Sequence, residues 1–195
     1  MSGLKPPPID RKGAAAAAAR FATIAQPDVA YAVVDTPIGP VVGARTKRGL
    51  AYLGYEDSAR SLDEIVESLA RRLSPRILEA PARLDDVRRE LDEYFAQRRT
   101  GFDVPIDWSL TGEFTRRVLQ ATARIPFGAT ATYGQIAAKA GNPRAARATG
   151  RSLNVNPIPI IVPCHRVVGA DGRLVGYGGG LPRKETLLRI EGALP

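Results

Sequence analysis

The chain has 195 residues, enough for one large domain or two small ones, and 44 % of them are hydrophobic, so a core can be buried. No apolar stretch is long enough to cross a bilayer, and a lone cysteine excludes an internal disulfide framework and suits a reducing cytoplasm. The net charge of +8 is unevenly spread: residues 1–109 carry 16 Lys and Arg against 16 Asp and Glu, whereas residues 110–195 carry 12 against 4. The whole excess lies in the second half, which points to a polyanion as the partner of that half.

Residues 1–28 read as an extension. Pro6-Pro7-Pro8 is extended and exposed, and alanine content predicts a helix from Arg11 to Ala25. Lys5, Arg11 and Lys12 before Ala14 to Ala19 faintly resemble a signal peptide, but alanine is weakly apolar and Arg20 interrupts the run. Residues 29–109 read as a small α/β domain. Ala30 to Val34 and Val41 to Ala44 flank the turn residues Thr36-Pro37-Ile38-Gly39, as in a hairpin, and Gly49 to Gly54 supplies a third strand. Ser61 and Glu64 form a capping box for a helix ending at Leu73. Leu84 to Phe95 is a second helix, and Phe102, Val104 and Ile106 alternate like a strand.

Residues 110–195 form the second domain, after a link near Gly101 to Thr111. A helix is predicted from Phe114 to Ala123. Thr132 caps the next one, Tyr133 to Ala140, with Gln135 as the reciprocal residue. Gly141-Asn142-Pro143 stops that helix and starts another that runs to about Leu153, with Asn142 as its cap. Two short helices joined by a glycine turn make a helix-turn-helix, a weak signal alone. Here the second helix carries Arg144, Arg147 and Arg151, no acidic residue, and small residues that allow close approach to a surface. Gly172 marks a turn between two extended segments, a wing-like hairpin, and a helix from Lys184 to Glu191 closes the chain.

Ile158 to Val162, bounded by prolines, reads as a short buried strand that delivers Cys164 at its end. A lone cysteine is more often a small core residue than a nucleophile. The only histidine, His165, follows it directly. Neighbouring side chains on an extended segment face opposite ways, so any help from His165 must come through a water or another side chain.

Pro163-Cys164-His165-Arg166-Val167, with Asn156 eight residues upstream and Gly176-Tyr177-Gly178-Gly179-Gly180 downstream, resembles the O6-alkylguanine-DNA alkyltransferase family. The resemblance spans Phe114 to Gly192 and is looser before that. It implies an α/β, ribonuclease H-like amino-terminal domain and a mainly α carboxy-terminal winged helix-turn-helix domain. It also implies a self-inactivating DNA repair protein. This moves the alkyl group of O6-alkylguanine, and of O4-alkylthymine, onto Cys164 once per molecule, after the base is flipped out.

The resemblance assigns a relay Glu191–His165–water–Cys164, a proton from Tyr133 to the leaving base at N3, and a bracing role to Asn156. Arg147 matches an arginine that fills the space left by the base. Arg144, Arg151, Ala146, Ala148 and Ser152 belong to the same DNA-facing helix. Val167, Tyr177, Gly178 and Leu153 line the base pocket. Gly178 stands where many relatives have Ser, and Val155 and Ser152 also depart from commoner choices. Some members hold zinc in the first half; this chain has no Cys or His there, so neither metal nor cofactor is expected. The implied partner is double-stranded DNA carrying alkylated guanine, with no membrane, a cytoplasmic, nucleoid-associated location and a monomeric protein, cooperative assembly on DNA being left open. Two alternatives remain: a damage-binding module that removes nothing, against which Cys164 argues, and a helix-turn-helix regulator, for which no obvious effector domain is present. A thiol hydrolase fits least, because Cys164 and His165 are adjacent.

Overall fold

The computed structural model describes residues 27–56 and 60–194; the helix expected over Arg11 to Ala25 lies outside them. Strands β1 (Val29–Val34), β2 (Val41–Thr46) and β3 (Gly49–Tyr55) form an antiparallel meander, with Val29 opposite Thr46 and Val41 opposite Tyr55. A short fourth strand, β4 (Ile77–Glu79), pairs parallel to β1, giving the order β3-β2-β1-β4. Its three residues carry too little pattern to stand out in the sequence.

Alternation along the strands gives the sheet two apolar faces. Val29, Val42, Ala44 and Tyr52 pack under helix α1 (Leu62–Arg72), whose Ile65 and Leu69 point down onto them. The Ser61–Glu64 capping box forms as expected. Ala30, Ala32, Val34, Val41, Leu50 and Leu53 face the other way, onto helix α2 (Asp85–Phe95) and the second half of the chain. One apolar core therefore runs through both halves.

Phe102, Val104 and Ile106 do not form the expected strand. The segment touches β3 at an isolated bridge between Leu50 and Ile106, where Leu50 N–H donates to Pro105 O and Asp107 N–H to Leu50 O. Pro105 has no N–H to extend a ladder. Further along the same edge, Leu53 N–H donates to Pro157 O at 2.8 Å. The outer edge of β3 is thus covered by the link and by the turn that carries Cys164.

In the second half, α3 (Glu113–Thr122), α4 (Tyr133–Lys139) and α5 (Ala146–Asn154) pack on one another. The parallel strands β5 (Ala131–Thr132) and β6 (Val167–Val168) sit beside them, and α6 (Leu181–Ile190) closes the fold. The second helix of the pair begins at Ala146 and not at Pro143; residues 142–145 form a turn closed by Ala145 N–H to Asn142 O, and no side chain caps α5. Arg144 therefore precedes the helix. At Gly172 the turn is present, with Gly169 N–H donating to Arg173 O, but no strand ladder flanks it. None of the helices among the described residues is long and apolar enough to cross a membrane.

The capping box on α4 is complete: Thr132 Oγ1 accepts from Gln135 N–H, and Gln135 Oε1 accepts from Thr132 N–H. Thr132→Ala should cost about 1 kcal/mol and lower the melting temperature by roughly 2–4 °C for a chain of this size. A thermal unfolding series on the two proteins checks this.

Candidate active site

Cys164 sits on one turn of 3-10 helix, Cys164–Arg166, at the end of a compact buried turn and not at the end of a strand. The apolar run before it folds back on itself: Val162 N–H donates to Ile158 O, and Ile160 lies at φ 72°. Pro157, Pro159 and Pro163 lack donors, so a ladder is not available to this segment. A β-branched residue at positive φ is strained and persists only where its surroundings hold it.

Asn156 does the holding. Its Oδ1 accepts from Ile158 N–H at 3.0 Å, and its Nδ2 donates to Val162 O at 2.9 Å and to Cys164 Sγ at 3.1 Å. One side chain thus ties both ends of the turn and meets the sulfur. Burial pushes the Cys164 thiol up to about 11; the bond from Asn156 and the charge of Lys184 pull against that rise.

Behind Cys164, His165, Arg166 and Glu191 are all buried. Glu191 caps α6 and points inward. Its Oε1 accepts from His165 Nε2 at 2.9 Å, Arg166 Nη2 at 2.9 Å and Tyr94 Oη at 2.6 Å, while Oε2 accepts from Arg166 Nε at 2.8 Å. Burial alone would raise the Glu191 carboxyl, but the donors His165, Arg166 and Tyr94 outweigh it and hold the group at about 2. His165 is shifted down, chiefly by burial, so it is neutral at pH 7. An ionised carboxylate accepts only, which assigns the imidazole proton to Nε2 and leaves Nδ1 as the basic nitrogen. Nδ1 has no hydrogen-bond partner among the described residues.

Four groups that the sequence reading did not single out belong to this site. Lys184, at 0 % exposure, donates from Nζ to Val167 O at 2.6 Å, Val175 O at 2.9 Å and Gly176 O at 3.4 Å. Burial lowers it to about 8. Arg166 also donates to Ile125 O at 2.5 Å. Tyr94 and Tyr55 come from the first half of the chain. The signal for Lys184 was in the spacing: Lys184, Leu187, Leu188 and Glu191 fall at i, i+3, i+4 and i+7, so both ends of the inward stripe of α6 are charged.

A cleft of about 650 Å³ opens over Cys164. Leu153, Asn156, Tyr177 and Gly178 line it, together with Tyr55 and Arg60 from the first half. Val167 is wholly buried, and its carbonyl is taken by Lys184. Tyr133 is half-buried, with its hydroxyl donating to Val175 O at 3.0 Å. Arg144, Arg147 and Arg151 are exposed, and Ala146 and Ala148 are partly so. Ser152, expected at the same surface, is buried, and its hydroxyl meets Thr115 Oγ1 at 3.2 Å. Val155, just past α5, is 64 % exposed at the cleft rim.

Comparison with known proteins agrees with both halves. Residues 29–108 match the ribonuclease-like domain of 6-O-methylguanine DNA methyltransferase, and residues 113–193 match its DNA binding domain. A methylated-DNA–protein-cysteine methyltransferase of Methanosarcina acetivorans is 42 % identical over 163 residues, covering 84 % of this chain and 98 % of that protein. One from Mycobacterium bovis is 42 % identical over 161 residues, covering 83 % and 91 %. The crystal structure of Mycobacterium tuberculosis O6-methylguanine methyltransferase superposes with a TM-score of 0.73 at 39 % identity, covering 85 % of this chain and 93 % of that one. A structure of the Mycobacterium tuberculosis protein in complex with DNA gives 0.71 at 39 %, covering 84 % and 93 %. With both of its halves matched by the family's two domains, and with relatives this similar along nearly their whole length, the chain belongs to the 6-O-methylguanine DNA methyltransferase family.

Proposed function

We propose that this protein repairs DNA by taking the alkyl group of O6-alkylguanine onto Cys164, once per molecule. The observation that carries the reading is the cleft whose floor is the chain's lone cysteine, backed by the buried Glu191–His165 pair. The thiolate of Cys164 attacks the alkyl carbon; the S–C bond forms, the C–O6 bond breaks, and its electron pair leaves with guanine, which takes up a proton. No group here reverses a thioether, so the product is dead.

The thiol proton leaves through a water to His165 Nδ1, the nitrogen that the bond to Glu191 makes basic. Lys184 adds the positive charge that a thiolate needs, and it also ties β6 to residues 175–176 beside the cleft. Tyr133 supplies the proton to the departing base at N3. The target atom is stacked inside a duplex, so the nucleotide must be extruded. Helix α5, with its small residues, approaches the minor groove as the second helix of a helix-turn-helix, Arg147 enters the stack, and Arg144 and Arg151 meet phosphates. O4-alkylthymine fits the same displacement chemistry. The free protein is a monomer, and its substrate is duplex DNA.

Cys164→Ser should abolish transfer and leave DNA affinity largely intact, because a hydroxyl is a far weaker nucleophile near pH 7. Intact mass after incubation with methylated duplex decides it: wild type gains one methylene per chain, and the variant gains none. A gain on the variant would overturn the acceptor assignment.

Lys184→Met should slow transfer below about pH 8, where the lysine is charged, and leave the rate close to wild type well above it. The sign follows from the cation: while protonated it favours the thiolate, so its loss leaves more thiol in that range and changes little once the wild-type lysine is neutral. A pH–rate profile that superposes on wild type would remove Lys184 from the chemistry.

Extruding a base costs a few kcal/mol, part of which an inserted arginine recovers. Arg147→Ala should therefore slow repair of alkylguanine in duplex by about tenfold or more while barely affecting reaction with free benzylguanine. Equal slowing of both substrates would mean that Arg147 supports the fold or the pocket.

A further inference from the structure

We propose that Tyr55, contributed by the first half of the chain, is a specificity-determining residue: it latches Tyr177 against the cleft and so limits the size of alkyl group that Cys164 accepts. The inference rests on Cys164 being the acceptor.

Tyr55 is the last residue of β3 and lines the cleft that holds Cys164. Its hydroxyl lies 2.8 Å from the hydroxyl of Tyr177, and the two rings meet edge to face with centroids 6.3 Å apart at 66°. Arg183 backs this pair. Its guanidinium sits 4.3 Å from the Tyr55 ring centroid, and it donates from Nε to Ile38 O at 3.0 Å and from Nη1 to Gly179 O at 3.2 Å. The loop passes so close that a Cβ on Gly179 would overlap ring carbons of both tyrosines. Both hydroxyls are shifted up, first by burial, and both residues line the same cleft as Cys164.

Tyr177 alone among residues 176–180 has a side chain, since its neighbours in that stretch are glycines. The backbone of the stretch is held by Lys184 on Val175 O and Gly176 O and by Arg183 on Gly179 O, and the hydroxyl contact to Tyr55 is what ties the Tyr177 side chain itself to a strand of the sheet. In a displacement the alkyl carbon approaches Sγ in line with the C–O6 bond, and the rest of the alkyl group must lie between the sulfur and the cleft wall. A methyl group needs almost none of that space. A benzyl group needs room for a ring, which Tyr177 yields only when the latch opens. The size limit of the acceptor half is thus set by a residue of the other half.

The test is Tyr55→Phe, which removes one hydroxyl and keeps the ring beneath Arg183. Single-turnover rates are measured for O6-methylguanine and O6-benzylguanine in the same duplex sequence, on the reactive fraction of wild type and variant. The benzyl-to-methyl ratio should rise about fivefold, the factor that one ordinary hydrogen bond controls. Tyr177→Phe breaks the same contact from the other side and should raise the ratio alike, with no further rise in the double variant. A ratio in Tyr55→Phe that stays at the wild-type value or falls overturns the proposal, as do additive effects in the double variant. A wild-type protein that gains mass from neither duplex overturns the acceptor reading itself, and the proposal with it.

Discussion

The buried carboxylate of Glu191 is the point on which the two halves of the chain and the reactive segment converge. It receives four hydrogen bonds from three residues: Tyr94 from helix α2, and His165 and Arg166 from the turn that bears the cysteine. A carboxylate out of water is costly unless its lone pairs are filled, and a buried ion pair broken on one side costs several kcal/mol. The arrangement is therefore close to all or none. A shift of α6 or of the 3-10 turn parts Glu191 from Arg166 and leaves a charge unpaired, and a shift of α2 takes away the Tyr94 donor. That rigidity holds the imidazole in one tautomer and one orientation, with its basic nitrogen available for proton transfer.

Much of this was readable because it depends on local chemistry. The capping boxes at Ser61 and Thr132, the three-strand meander and the apolar stripes of the helices follow from residue type and period, and they form where the pattern puts them. The run from Pro163 to Val167, with Asn156 upstream, singled out the cysteine-bearing segment through its resemblance to a family and not through the adjacency of Cys164 and His165. The failures share a different cause. β4 is three residues long and exists because β1 offers it an edge. Ile158 to Val162 has the composition of a strand, but three prolines deny it a ladder and the Asn156 side chain takes the backbone bonds instead. Phe102 to Ile106 alternates like a strand and is stopped by Pro105.

Within the site, the readable part was the part that lies close in sequence. Tyr94 lies 97 residues from Glu191 and Tyr55 lies 122 from Tyr177, and no spacing rule reaches that far. Lys184 is the instructive case between these extremes. A lysine in the first turn of a helix is ordinarily solvated, and this one is wholly buried against three carbonyls. Its position at the head of an apolar stripe that ends in another charge was visible, but only the fold says what it faces.

The covering of β3 bears on how the chain can be divided. An edge strand with bare N–H and C=O groups is a template for any other strand, and proteins that leave one open aggregate or swap. Here the donors of Leu50 and Leu53 are spent on Pro105 and Pro157, the second of which belongs to the active-site turn. The catalytic half is thus also the guard of the sheet's edge. Cutting the chain between the two halves would strip Leu53 of its partner and open the core that both share, so the small α/β half is built to fold against its neighbour rather than alone.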